Sequence, residues 1–267
     1  MLDSYNREIS YLRISVTDRF NLRCLYCMPE EGIEKMQHQD CLSFEEMTEI
    51  AKEAIALGLT KIRLTVGEPL VRKGIIRLVS MLSSLEGLKL LGMTTNGHFL
   101  DQYAHDLKEA GLSSLNISLD SLNPDRYAHL TRGGDINRVL KGIDAALAED
   151  FPVKLNMVIS AETSQEEMDA MKSFCTGKGI KLQRIREYSL TEDKFQDEEI
   201  IYQRPPPCGQ CNRIRLLPNG RIKPCLHTDQ EIIIDPDNIK AALVEAIHEK
   251  PRCGSSCSTR NMVEIGG

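Results

Sequence analysis

The feature that most constrains this chain is a rhythm of short apolar runs, each followed by a stretch with helical periodicity. Ile14 and Val16 alternate with polar neighbours and suggest a first strand entering a polar loop. Leu42 to Leu57 reads as a helix: Ser43 is an N-cap, Glu46 completes a capping box and Gly58 ends it. A strand begins at Lys61 and runs into Gly67-Glu68-Pro69. Arg72 to Leu85 reads as helix, Leu88 to Thr94 as strand, Leu100 to Ala110 as helix and Ser114 to Leu119 as strand. Asn137 to Ala148 (helix), Val153 to Ile159 (strand), Glu166 to Gly177 (helix) and Leu182 to Tyr188 (strand) complete about six strand–helix repeats.

Such alternation calls for a parallel sheet flanked by helices, and by itself allows either a doubly wound sheet or a full or partial barrel. No Gly-x-Gly-x-x-Gly loop follows any strand, which weakens the dinucleotide-binding option. Unusual residues collect at strand C-terminal ends (Glu68-Pro69, Thr94 to Asn96, Ser118 to Asp120), where barrels carry their chemistry. Past Tyr188 the texture changes to an acidic stretch, Thr191 to Glu199, and then Arg204-Pro-Pro-Pro207. A domain boundary is expected there, dividing 1–190 from 191–267.

Cysteine usage points to metal or redox chemistry. Nine cysteines in a chain with no apolar run of membrane-spanning length read as thiols of a reducing, cytoplasmic compartment. A net charge of -6 argues against general binding to nucleic acid or membrane surfaces. Cys24-Leu-Tyr-Cys27 can hold zinc, a redox dithiol or an iron–sulfur cluster. Cys208-Gly-Gln-Cys211 followed by Cys225 suits a [4Fe–4S] cluster, or zinc if His227 joins. Cys41 and Cys175 stand alone and read as buried, inert thiols. Arg13, Lys61, Arg63, Lys154, Arg184, Arg213 and Arg215 lie on or just after strands. Cations directed into a barrel need an anion, and a triphosphate would supply one, whereas a solvated face is their ordinary fate.

The run from Leu12 to Gly32, with Thr94-Thr-Asn-Gly97, Asn116-Ile-Ser-Leu-Asp-Ser121 and the Cys208–Cys225 segment, resembles the radical S-adenosylmethionine (SAM) enzymes. Within them it is similar to the GTP 3′,8-cyclases of molybdenum cofactor biosynthesis. The resemblance implies a partial (β/α)6 barrel, α/β in class, with a C-terminal cysteine-rich extension. It implies a lyase that converts GTP with SAM and two [4Fe–4S] clusters, one at Cys24 and Cys27 and one at Cys208, Cys211 and Cys225. SAM would be bound by Tyr26, Gly67, Glu68 and Ser118. GTP would meet Arg13, Lys61, Arg63, Thr94, Lys154, Arg184, Arg213, Arg215 and the tail glycines Gly266 and Gly267, with its guanine at the open iron of the second cluster. The resemblance also implies an electron donor such as flavodoxin or ferredoxin and a downstream pterin synthase protein, and it allows a homodimer.

Four departures stand out. Phe20 occupies the place of the first cluster cysteine, for which Cys41 or Asp18 would have to substitute. Val66 replaces the first glycine of a Gly-Gly-Glu-Pro loop, Gly74 an acidic residue and Ser189 a methionine. Cys253 and Cys257 have no counterpart in the resemblance. A silent relative that binds GTP and one C-terminal cluster is the alternative reading.

Overall fold

A computed structural model describes residues 1–187, 190–191 and 207–266, with the side chain of His38 excepted. Tyr188, Ser189, most of the acidic stretch, Arg204 and Gly267 lie outside the described residues, and the expected 190/191 boundary borders them.

Six parallel strands run in sequence order across one sheet: β1 (Tyr11–Ser15), β2 (Lys61–Thr65), β3 (Leu90–Thr95), β4 (Ser114–Ser118), β5 (Val153–Ile159) and β6 (Lys181–Arg186). The sheet does not close, so the fold is the open, partial (β/α)6 barrel. On the far side of β1 the chain adds β7 (Arg213–Leu216), parallel to β1, then the antiparallel β8 (Arg221–Lys223) and β9 (Ile232–Ile233). The C-terminal extension therefore continues the barrel sheet.

The crossover helices are α1 (Phe44–Ala56), α2 (Ile75–Ser83), α3 (Leu100–Glu109), α4 (Pro124–Thr131), α5 (Ile136–Ala148) and α6 (Gln165–Gly177); α7 (Ile239–His248) and α8 (Met262–Ile265) follow β9. The Ser43/Glu46 capping box forms as expected, and Ser164 with Glu167 makes another at α6. The helix expected from Arg72 begins only at Ile75: Pro69–Val71 forms a 3-10 turn, and Gly74 at φ +81° takes a left-handed cap that breaks the run. Helix α4, capped by Asn123 and started by Pro124, was hidden by its short length.

Burial follows the alternation. Leu12, Ile14, Ile62, Leu64, Leu91, Met93, Leu115, Ile117, Leu155 and Met157 point to the helical layer and are essentially inaccessible. Removing each such side chain from water contributes about 1.5–3 kcal/mol. The opposite face of the same strands carries the polar residues. Helix α5 meets the loop after β3 closely: a Cβ on Gly142 would lie 2.4 Å from the Gly97 carbonyl oxygen. That contact fixes the Thr95-Asn96 turn over the polar face.

Candidate active site

Strand register arranges the polar face in rows. Arg13 pairs with Arg63 on one side and with Arg215 on the other, so three guanidinium-bearing residues share one row. In the next row Ser15 stands beside Thr65, while Thr94, Asn116 and Lys154 are neighbours across β3, β4 and β5. One row further, Ser118 adjoins Asn156. Arg213 lies a row below Arg215, level with Tyr11 and Lys61, but Lys61 opens its strand and is exposed. Arg184, expected among the anion ligands, pairs with Met157 and so lies on the face opposite to Lys154.

Arg13 and Arg215 are buried, and Arg63, Lys154 and Arg213 are half-buried beside them. Arg13 is buried, bonds Thr65 Oγ1 at 3.2 Å, and its Nε has no partner among the described residues. Burial, then the charge of Arg215, pushes its pKa down to about 9. Arg63 donates to the Tyr11 hydroxyl (2.7 Å) and the Met93 carbonyl (3.0 Å); Gly92 makes room, because a Cβ there would come within 2.7 Å of its guanidinium. Burial, then Arg63 and Lys181, lowers the pKa of Lys154. An anionic ligand would relieve this repulsion.

Beyond the cations lies a cavity of about 240 Å³ that brings together Phe20, Cys24, Tyr26 and Cys27, the Val66–Glu68 turn, Thr94–Asn96, Ser118, Asn156 and, from the chain's end, Val263 and Gly266. A wider space of about 680 Å³ adjoins it and shares Tyr26, Cys27, Arg186, Glu187 and Met262. Glu68 is buried and accepts from Thr95 Oγ1 (2.6 Å) and from the backbone N–H groups of Asn96 (2.7 Å) and Leu70 (3.1 Å). Burial outweighs these bonds and raises its pKa to about 7. A carboxylate held this way suits an ammonium group. Gly67 is required, since a Cβ would sit 2.3 Å from the Thr17 carbonyl oxygen. Val66 is strained at φ +40°, costly for a β-branched residue, and its Cγ2 would lie 2.0 Å from a Cβ on Gly266.

The N-terminal cysteines sit in unusual electrostatics. Tyr26 donates its hydroxyl to Asp120 Oδ2 at 2.8 Å, and the Val158 N–H donates to Oδ1 at 2.8 Å. Burial raises the Asp120 pKa to about 6. Burial and Asp120 push the Cys24 thiol up to about 12, and burial, Cys24, Asp120 and Glu187 raise Cys27 as well. Two thiols facing carboxylates favour a cation between them. A three-thiolate cluster is not matched, because Phe20 brings a ring where the third sulfur would be. The suggested substitutes do not line the cavity: Asp18 accepts from the Met36 N–H (2.7 Å) and pairs with Arg19 (3.2 Å), and Cys41 stands near that pair.

The second set is better furnished. Cys208 and Cys211 flank a 3-10 turn closed by the Cys211 N–H on the Cys208 carbonyl (3.2 Å), and Cys225 follows β8. Lys250, 1% exposed, donates to the carbonyls of Arg213 and Pro224 at 2.8 Å each and faces Cys211 and Cys225. Burial opposes the Cys211 thiolate, yet Lys250, the Arg213 N–H and nearby guanidiniums prevail and lower its pKa. These surroundings favour the thiolate of Cys211, as a thiolate ligand requires. His227 packs against Gly254. Cys257 is buried apart, 3.6 Å from Lys223 Nζ, and Cys175 is buried within α6, whereas Cys41 is only partly covered.

The tail is tied into the site. Arg215 Nε reaches the Gly266 carbonyl at 3.3 Å, and Arg260 forks onto Glu231 (2.8 and 3.0 Å) and bonds Glu264 (3.1 Å). Tyr11, Asn156, Glu187 and Lys250 are site residues that sequence reasoning missed. Register alone could have flagged Tyr11 and Asn156, two residues from Arg13 and Lys154; Lys250 carried no signal.

The radical SAM superfamily pattern matches residues 14–175. The chain is 40% identical to the GTP 3′,8-cyclase of Alkaliphilus oremlandii (strain OhILAs) over all of both chains. It is 40% identical to that of Peptoclostridium acidaminophilum over all of this chain and 98% of the relative. Among solved structures, Streptococcus suis SuiB superposes with a TM-score of 0.69 at 15% identity, covering 92% of this chain and 67% of SuiB.

Proposed function

The chain belongs to the radical SAM superfamily and to its GTP 3′,8-cyclase family, and we propose that its polar face binds the triphosphate of GTP beside a SAM pocket. The activity is that of the family's lyase, conversion of GTP to (8S)-3′,8-cyclo-7,8-dihydroguanosine 5′-triphosphate, with SAM and a [4Fe–4S] cluster as cofactors. The observation that carries the reading is the single row of Arg13, Arg63 and Arg215, one row from Thr65 and Thr94, which line the cavity together with Cys24, Cys27 and Glu68.

Arg13, Arg63, Lys154, Arg213 and Arg215 neutralise the phosphates, and Thr94 and the Gly266–Gly267 tail close on the nucleotide. Glu68 receives the ammonium of SAM, with Tyr26, Gly67 and Ser118 around it. What SAM supplies when bound is a deoxyadenosyl group for hydrogen abstraction from the ribose. Cys208, Cys211 and Cys225 hold the C-terminal cluster. The N-terminal donors fall one sulfur short of a three-thiolate site. Phe20 and the strained Val66 favour, as a second reading, a relative that binds GTP without cleaving SAM.

No described helix is long and apolar enough to cross a membrane. Cytoplasmic location, a flavodoxin- or ferredoxin-like electron donor, delivery of product to a pterin synthase protein and homodimerisation complete the proposal.

Anaerobic reconstitution separates the readings. About eight irons per chain, with cyclised GTP formed, support the cyclase; about four, rising to about eight in Phe20→Cys, support the silent relative. A chain that neither binds GTP nor forms product in either version removes both.

A further inference from the structure

Two sulfurs of the C-terminal segment are placed for a reaction that the proposed function does not use. Cys253, exposed in the loop after α7, has its Sγ 3.0 Å from that of Cys208. A disulfide bond is about 2.05 Å long, so the pair needs to close by only about 1 Å. The backbone is pinned on both sides of Cys253. Arg7, buried and paired through Nε with Asp3 (2.6 Å), donates to the carbonyls of Cys208 (2.8 Å), Pro251 (2.7 Å), Arg252 (3.0 Å) and Lys250 (3.4 Å). One guanidinium thus ties the Cys208 backbone to the residues that lead into Cys253. On the other side Gly254 is buried with no room for a side chain: a Cβ would lie 2.7 Å from the His227 carbonyl oxygen. The Ser255 N–H donates to that same oxygen at 3.1 Å. Cys211, the other sulfur near Cys208 in sequence, has Lys250 as its own hydrogen-bond partner.

We propose that Cys208 and Cys253 form a reversible disulfide in the cluster-free chain, a modification that competes with the C-terminal cluster for Cys208. The oxidant is a low-molecular-weight disulfide of the oxidised glutathione class. Exposed Cys253 attacks one of its sulfurs, which breaks the oxidant's S–S bond and releases one small thiolate. Cys208 then attacks the Cys253 sulfur of the mixed disulfide and displaces the second small thiolate. The chain loses two electrons and two protons, and the oxidant leaves as two thiols. A reducing compartment reverses the step, so the bond is transient and senses the thiol balance. While it lasts, Cys211 and Cys225 alone remain of the three-thiolate set that a cluster needs.

The disulfide stands on its own geometry, whereas the competition rests on the C-terminal cluster of the proposed function, and the test parts the two. The full chain carrying Cys24→Ala and Cys27→Ala confines iron to the C-terminal site. Stripped by chelator, it is treated with oxidised glutathione, alkylated with iodoacetamide, digested without reductant and read by mass spectrometry. Expected is a linked Cys208–Cys253 peptide as the main disulfide, opened by dithiothreitol, kept in Cys211→Ser and absent in Cys253→Ser. The same chain is then loaded anaerobically with iron and sulfide, desalted and given the same oxidant. With about four irons bound, the linked peptide should fall at least ~10-fold, because Cys208 is held on iron. A Cys208–Cys211 peptide in its place, or glutathione kept on Cys253 with Cys208 alkylated, overturns the disulfide. Equal yields with and without bound iron overturn the competition. A chain that takes up no iron, or zinc in its place, overturns the cluster and leaves the disulfide standing.

Discussion

Glu68 offers the sharpest quantitative test. Burial moves its pKa from the ordinary 4.5 to about 7 despite three hydrogen bonds. A carboxyl that is more basic when folded binds more protons folded than unfolded between those two values. Stability is therefore full below about pH 4.5 and falls as pH rises through about 7. At 1.36 kcal/mol per pH unit the ionised carboxylate costs the ligand-free chain roughly 3 kcal/mol by pH 8. Glu68→Gln removes that dependence but turns an amide NH2 toward donors, at about 1–2 kcal/mol. Urea unfolding should show the variant less stable than the parent by up to about 1 kcal/mol at pH 5 and about 1–2 kcal/mol more stable at pH 8. SAM should reverse the trend, because its ammonium pairs with the ionised form: affinity for the parent should rise up to tenfold per pH unit between about 5 and 7 and stay flat for Glu68→Gln. A pH-independent stability difference would refute the reasoning, for it would mean that Glu68 is ionised throughout.

Arg13→Met should stabilise the ligand-free chain, since it removes a buried cation from beside Arg215, and should weaken GTP binding at least ~10-fold by calorimetry. Val66→Gly should relieve about 1–3 kcal/mol of backbone strain while losing a similar amount of burial, leaving unfolding within about 1.5 kcal/mol of the parent while SAM affinity rises. Glu231→Gln should cost about 3–5 kcal/mol, because buried Lys223 and the Arg260 fork lose their carboxylate, and hydrogen exchange should quicken across 260–266. Gly142→Ala should cost about 1–3 kcal/mol through the clash with Gly97, and SAM binding should weaken as the Asn96 turn shifts.

The strand–helix order was legible because its repeats are punctuated locally: Ser43 caps, Gly58 breaks, and short apolar runs mark the strands; the break at Gly74 was not legible, so that helix was expected three residues early. The sequence motifs also pointed to the residues that meet in the cavity, including Glu68, Ser118 and Tyr26. Facing was less legible. Arg184 and Lys154 look alike as cations on strands, and only the register of β5 with β6 separates them. Lys61 shares a face with Arg63, yet stands at the open end of its strand. Buried lysines were invisible: Lys223 and Lys250 owe their burial to contacts with Thr228, Glu231, Arg213 and Pro224, which depend on how the extension folds back. The approach of Cys253 to Cys208 depends likewise on Arg7, at the other end of the chain.

The place of β1 has a consequence for how the chain is made. The strand synthesised first lies inside the sheet, and its second neighbour, β7, is supplied only by residues 213–216. Until those residues leave the ribosome, Tyr11 to Ile14 present an unpaired edge along a half-built barrel. Closing that gap spans most of the chain, which makes the final pairing slow. A chain cut before Arg213 would lack not only the C-terminal cysteines but the cover for β1, so truncation products should aggregate rather than persist as smaller barrels.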